Sequence, residues 1–390
     1  MDVQESECNN TSDPLCYEEG SGSLAVIIIP ALLTFSTVVT VTSILCILCQ
    51  IRKASPERSS SPAYHTNQAG DVGQSTSPVG PWEIPGDCTL EGLEFCRTGH
   101  YGPVCSGTLR REHSRTAVVV KTLGGCSDPS VAKEFVDWIL FHGVVCKHQN
   151  LVRMLCCQTQ QLPMCLVLEA FSPGNLLHYL WTLRNRDSKF LDQLQHFSER
   201  SVYLVAKQVA AGLEYLLSEH RIVHGNVAAR NILIGSGLSV KVSGLGLAFE
   251  VRQGLTGMLA TRRTTEVPLK WQAPERMMKQ PTTDRSDVFS FGIVLYELIT
   301  LGSPPYPDLE PPCVLSQLQK SYRMKRPEHC GGSLYDLMKY CWMWSFKDRP
   351  AFSAIIKLLE SYTRLADTKD ICIPEAMNIS DYSKRAGVLP

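Results

Sequence analysis

The apolar residues of this chain change their spacing once, and that change constrains the fold more than any other feature. Leu90 to Phe95, Gly107 to Leu109, Thr116 to Leu123, Leu151 to Cys156 and Cys165 to Leu168 carry alternating or β-branched patterns, with glycine-bearing turns between the first of them. Such runs read as strands. Asp128-Pro129 interrupts them by opening one helix, with Asp as cap and Pro in the first turn. Val131, Phe135, Trp138 and Ile139 then share a face of that helix. From Asn175 onward the pattern is helical, over Ser201 to Leu217, Ser286 to Leu301, Leu334 to Trp344 and Ala351 to Leu365. A strand-rich part followed by a helix-rich part predicts an α+β domain over 90–364, with a crevice where the two parts meet. No internal repeat is present.

Ahead of this domain, 26 residues from Leu24 to Cys49 carry no charge. At 1.5 Å per residue a helix over that run is about 39 Å long, against a hydrocarbon core of about 30 Å. The expectation is one transmembrane helix over 24–50. Residues 1–23 hold Asp2, Glu5, Glu7, Asp13, Glu18 and Glu19 with no Lys or Arg, whereas Arg52, Lys53 and Arg58 follow the run. The positive-inside bias therefore puts 1–23 outside the membrane and the domain in the cytosol. Asn9 and Asn10, before Thr11 and Ser12, then offer overlapping glycosylation acceptors, an unmodified stub being the plain alternative. Residues 51–89, rich in Ser, Pro, Gly and Gln, read as a disordered juxtamembrane linker, and 365–390 as a flexible cytosolic tail. Lys plus Arg and Asp plus Glu balance at 38 each, which gives no reason to expect a nucleic-acid partner. The sixteen cysteines show no paired zinc spacing; the one CxxC, Cys46 to Cys49, lies in the apolar run.

Seven short motifs stand in a fixed order through the domain. Gly99-His100-Tyr101-Gly102-Pro103-Val104 precedes the strand Thr116 to Lys121. His224-Gly225-Asn226-Val227-Ala228-Ala229-Arg230-Asn231 comes next, and Gly244-Leu245-Gly246 follows it. Then come Pro268 to Glu275, Asp287 to Gly292 and Asp348-Arg349-Pro350. Alone each is weak, since a Lys ending an apolar strand is usually a solvated edge residue. In this order they resemble the protein kinase superfamily, and the run Ala228-Ala229-Arg230-Asn231 with Pro268-Leu269-Lys270-Trp271 resembles its tyrosine kinases.

The resemblance implies a bilobal kinase fold, with a small β-rich N-lobe over 90–168, a hinge at 169–172 and a helical C-lobe over 173–364. It implies roles residue by residue. Gly99, Gly102 and Val104 match the glycine-rich loop that covers ATP, although Arg97 stands where its first glycine belongs. Lys121 matches the lysine that grips the α and β phosphates. The Glu that orients this lysine is replaced by Trp138, with Asp137 one residue off and Glu134 one turn early. Leu168 matches the gatekeeper, and Glu169 and Phe171 belong to the hinge beside the adenine. Asn231 matches the residue that holds the second Mg2+. Asn226 stands in place of the catalytic Asp, and an amide cannot act as a base. Gly244 replaces the Asp that binds Mg2+, and has no side chain with which to coordinate anything. Gly225 replaces the Arg that pairs with an activation-loop phosphate. By contrast Glu275, Arg349 and Asp287 match residues that support the fold.

What these matches imply is a kinase-like domain without efficient phosphoryl transfer: a pseudokinase with weak ATP binding and doubtful Mg2+ binding, acting in growth and proliferation signalling as a scaffold or allosteric partner. Active kinases or phosphotyrosine-reading adaptors are its expected partners, together with homo-oligomers. A divergent but active tyrosine-protein kinase is the alternative, with another acid such as Asp137 or Glu250 taking over the metal. Tyr382, after Asp381, is a candidate docking phosphosite in the tail, an inert tail being the plain reading.

Overall fold

The structure is a computed structural model that describes residues 78–125, 128–184, 196–245, 249–250, 267–373 and 375–388. Five antiparallel strands form the upper layer: β1 (Cys88–Thr98), β2 (Pro103–Arg111), β3 (Ser114–Thr122), β4 (Met154–Gln158) and β5 (Cys165–Glu169), in the order β1-β2-β3-β5-β4. Between β3 and β4 runs helix α1 (Pro129–Val145), whose first turn is closed by the Asp128 carboxylate accepting from Ser130 N at 2.9 Å. Phe135 and Ile139 of α1 are fully buried with Leu166 and Leu168 of β5 in one core between helix and sheet. The domain starts earlier than the composition shift suggests. Val79 is fully buried and the Trp82 ring lies where a Cβ on Gly143 of α1 would stand, so a turn from the expected linker is part of the N-lobe.

The helical layer contains α2 (Leu176–Thr182), α3 (Glu199–His220), α4 (Pro274–Met277), α5 (Asp284–Ile299), α6 (Val314–Gln319), α7 (Gly332–Cys341) and α8 (Phe352–Thr363). Short strands β6 (Pro173–Asn175), β7 (Ile222–Val223), β8 (Ile232–Gly235) and β9 (Val240–Val242) lie among them, with β6-β8-β9 forming a small sheet that faces the N-lobe. The centre is α5, whose residues from Ser286 to Ile299 are all buried. A ninth helix, α9 (Ile379–Ala386), follows α8 in the stretch read as a flexible tail.

The fold class requires one correction. The bilobal α+β kinase fold is present, but no helix among the described residues is long and apolar enough to cross a membrane. Of the two longest helices of the helical layer, α3 is amphipathic, and α5 has 16 residues and carries Asp284, Asp287 and Glu297. The expected transmembrane helix at 24–50 lies outside the described residues, as do Asn9, Asn10 and most of the linker. What the described residues support is the two-lobed domain, and the preceding membrane helix is not supported by them.

Candidate active site

The loop from His224 to Asn231 joins β7 to β8 and is held from below by α5. Asp287 accepts from His224 N at 2.7 Å and from Gly225 N at 2.9 Å, and Glu297 accepts from Ala229 N at 2.9 Å. Burial raises the carboxyl pKa of both acids, that of Glu297 to about 7, and their hydrogen bonds oppose the shift. The His224 ring donates from Nε2 to the Ser243 carbonyl at 2.8 Å, and its Nδ1 accepts from Asn226 N at 3.1 Å. Those partners assign the neutral tautomer, and burial holds the ring's pKa below its ordinary value. Arg276 donates to the Gly225 carbonyl, which puts a cation next to the loop although Gly225 itself has lost one.

Within this frame Asn226 is not free. Its Oδ1 accepts from Arg230 Nη2 at 2.9 Å, and its carbonyl accepts from Asn231 Nδ2 at 2.8 Å. The Arg230 guanidinium in turn lies 4.4 Å from the centre of the Trp271 ring. Gly244 has φ +77°, and a Cβ placed on it would stand 2.7 Å from both Cγ and Oδ1 of Asn231. The position of the metal-binding acid has therefore lost its side chain, and the Asn231 amide lies close against what is left.

The upper wall of the crevice differs in the same direction. Lys121 ends β3 opposite Val104, with its Nζ 4.9 Å from the centre of the Trp138 ring. Among the described residues no carboxylate lies within ion-pair distance of it. Burial, with Arg97 adding repulsion, lowers its pKa to about 8. His142, one turn beyond Trp138 and also buried near the lysine, is pushed down to about 3 and is neutral. Tyr101, at the tip of the glycine-rich loop, packs against the same helix, its ring centre 5.1 Å from that of Trp138 and 5.2 Å from that of Phe135. The loop is tightly turned, with Gly99 N donating to the Gly102 carbonyl at 2.7 Å and Gly124 N donating to the Tyr101 carbonyl at 2.8 Å. A Cβ on Gly102 would meet Gly124 N at 2.5 Å, so only glycine permits this descent of the loop onto the β3–α1 connection.

At the back of the crevice Val104 and Leu168 are buried. Glu169 is committed to the scaffold, accepting from Arg153 N at 2.7 Å and pairing with Lys241 at 2.9 Å, and Lys241 lies 5.7 Å from the centre of the Phe171 ring. Further down, Glu275 and Arg349 form a bidentate pair at 2.8 and 2.9 Å, and the Ser286 hydroxyl donates to the same carboxylate at 2.6 Å. Arg349 holds the Glu275 carboxyl below its usual range against the effect of burial.

A two-lobed fold, a strand lysine facing α1 and a loop anchored on a buried acid of α5 together define a protein kinase. Residues 93–359 match the family of protein tyrosine and serine/threonine kinases, and the chain belongs to that family. It is 38% identical over 331 residues to the tyrosine-protein kinase STYK1 of Mus musculus, covering 84% of this chain and 76% of that protein, and as similar to STYK1 of Homo sapiens, of which it covers 77%. It is 35% identical over 277 residues to the tyrosine-protein kinase Abl of Drosophila melanogaster, covering 68% of this chain and 16% of that protein.

Membership in this family implies ATP and Mg2+ binding in general. The residues of this chain do not fit a magnesium nucleotide in the arrangement described: Gly244 offers no ligand, Asn231 crowds its position, and Lys121 faces an indole where a carboxylate would orient it. Sequence reasoning assigns Gly99, Gly102, Val104, Lys121, Leu168, Glu169 and Phe171 to a nucleotide crevice and Asn226, Asn231 and Gly244 to its floor. The structure puts Gly99 and Gly102 in the β1–β2 turn, Val104 on β2, Lys121 on β3, Leu168 and Glu169 on β5, and Asn226 and Asn231 on the β7–β8 loop, with Asn231 against Gly244. Sequence reasoning misses Tyr101. The available signal was an aromatic residue at the loop tip in the same chain that has Trp138 in place of an acid.

Proposed function

We propose that this chain signals through the surfaces of its kinase domain rather than by transferring phosphate, as a pseudokinase that scaffolds or allosterically biases an active kinase or a phosphotyrosine-reading adaptor. The observation that carries this reading is the state of Lys121, buried against Trp138 with no acid among the described residues paired to it. Losing a general base costs about 10²- to 10⁴-fold in rate, and losing metal charge neutralisation costs several kcal/mol of barrier besides. Binding of ATP on this reading is weak and independent of Mg2+. The test is a radiolabelled transfer assay on the purified chain with contaminating kinases excluded. No turnover above that of Lys121→Ala is expected, and turnover that the Lys121→Ala change abolishes would overturn the reading.

A divergent active tyrosine kinase is a second reading with one observation in its favour. Glu134, one turn before Trp138 on α1, has a buried Oε1 with no hydrogen-bond partner. Rotation of α1 would present that spare carboxylate to Lys121. Glu134→Gln abolishing transfer in the assay above would support it.

A further inference from the structure

The tail is the part of the domain that departs most from expectation. Helix α9 begins at Asn378, whose side chain accepts from Asp381 N at 3.1 Å, and ends at Gly387 with φ +68°. Eight residues are too few for a stable helix in water, so docking and helix formation are coupled. Tyr382 and Ala386, four residues apart on one face, are 3% and 0% exposed. The Tyr382 ring packs edge-on against Trp181 of α2, with centres 4.9 Å apart. Arg184 reaches Met377 Sδ at 3.7 Å, and Gly387 abuts Pro311, which a Cβ would strike at 2.6 Å. The Tyr382 hydroxyl lies within electrostatic reach of Glu297 and of Arg230, the residue that holds the Asn226 side chain.

The fit is complete in shape and incomplete in hydrogen bonding. Tyr382 Oη, Arg230 Nη1, Glu297 Oε1 and Arg184 Nε are all buried without a partner among the described residues. Each unmade bond opposes docking. Beyond its apolar contacts the tail is held by long polar contacts, Arg385 Nη2 donating to the Pro307 carbonyl at 3.4 Å and Arg184 to Met377 Sδ at 3.7 Å, so it is released more easily than its burial suggests. A phosphate on Tyr382 would bring about two negative charges into a buried site that already contains the Glu297 carboxylate.

We propose that the face formed by Trp181, Arg184, Arg230, Glu297 and Pro311 is a docking site for a tyrosine-bearing helical segment, filled in cis by residues 375–388, and that phosphorylation of Tyr382 by a separate tyrosine kinase keeps it empty. In that step the γ-phosphoryl group of ATP becomes bonded to Tyr382 Oη, ADP leaves, and the phenolic proton passes to the modifying kinase's base. The docked tyrosine is shielded; the phosphorylated tail stays out, and the catalytic-loop face at Arg230 is exposed to partners. None of this depends on whether the chain itself transfers phosphate.

The test uses the full chain and a fluorescent peptide of residues 375–388. Wild-type protein should bind the peptide at least tenfold more weakly than the Ala386→Glu variant, whose own tail cannot dock. On that variant a Tyr382→Phe peptide should bind about tenfold more tightly than the wild-type peptide, because no hydroxyl is stranded. The phosphotyrosine peptide should not bind. Hydrogen exchange on the intact protein gives an independent readout: tail amides slow in Tyr382→Phe and fast in Tyr382→Glu, with α5 amides unchanged. Equal peptide binding by wild type and Ala386→Glu, or a phosphopeptide that binds as well as the unmodified one, would overturn the proposal. If Ala386→Glu does not fold, tail exchange that is the same in wild type, Tyr382→Phe and Tyr382→Glu overturns it alone.

Discussion

Replacing Lys121 by Met should stabilise this domain, whereas the same change in a kinase with an intact lysine–glutamate pair removes one partner of that pair. Met has nearly the length of Lys and no charge, so it can lie along the Trp138 ring without enlarging the core. The lysine titrates near 8 in the fold against 10.5 for a free side chain. Its folded pKa lies below the unfolded one, so the unfolded state binds the proton more tightly and the charged lysine opposes folding. That cost is fully present below pH 8, fades between 8 and 10.5, and is absent above. At about 1.4 kcal/mol per pKa unit it is about 3 kcal/mol at pH 7. Loss of the contact between Nζ and the indole offsets about 1 kcal/mol of the gain. The net expectation is about 2 kcal/mol, seen as a higher urea midpoint at pH 7 and an increase of a few degrees in Tm. The difference between the two proteins should shrink steadily as pH rises toward 10.5. A Lys121→Met variant less stable than wild type at pH 7, or a gain independent of pH, would refute the account of Lys121 as an unpaired buried charge.

Gly244→Asp should lower stability by about 2 kcal/mol, read from the urea midpoint, because it puts a β-branchless but charged side chain at φ +77° and displaces the Asn231 amide from its 2.8 Å bond to the Asn226 carbonyl. Restoring both acids, Asn226→Asp with Gly244→Asp, should still give no transfer in a radiolabel assay, and adding Trp138→Glu should be needed before activity appears. Arg349→Ala strands the Glu275 carboxylate in the core and should cost about 3–5 kcal/mol, enough to leave the protein largely insoluble on expression. Because Arg349 depresses the Glu275 pKa, the stability that this pair contributes is present at neutral pH and is lost as pH falls through the folded value, which acid titration of the fold by circular dichroism would follow.

Local chemistry made much of this molecule legible. Asp128-Pro129 announces a helix start by itself, and the carboxylate caps Ser130 as the pattern requires. The strand alternation around Val118 to Lys121 and the spacing from His224 to Arg349 place the crevice and its floor, since each is set by neighbours in sequence or by a motif order. What the sequence could not convey depends on contacts made across the fold. Tyr382 is an unremarkable tyrosine in a polar stretch until Trp181, 201 positions away, gives it a ring to pack against. Tyr101 and Trp138 come together only because the loop folds onto α1. That Asn231 crowds the place of the missing acid is a matter of ångströms, and no spacing rule reports it.

The central claim is that Lys121 is held by Trp138 where an acid would orient it, with Tyr101 packed on the same ring, and that Gly244 leaves the site without its metal-binding acid. Thermal unfolding of the purified chain, with ATP titrated in the presence of Mg2+ and again with the metal chelated, tests it most directly. The account predicts no stabilisation that requires Mg2+. An increase in Tm that appears only with Mg2+, and that the Lys121→Met variant loses, would contradict it.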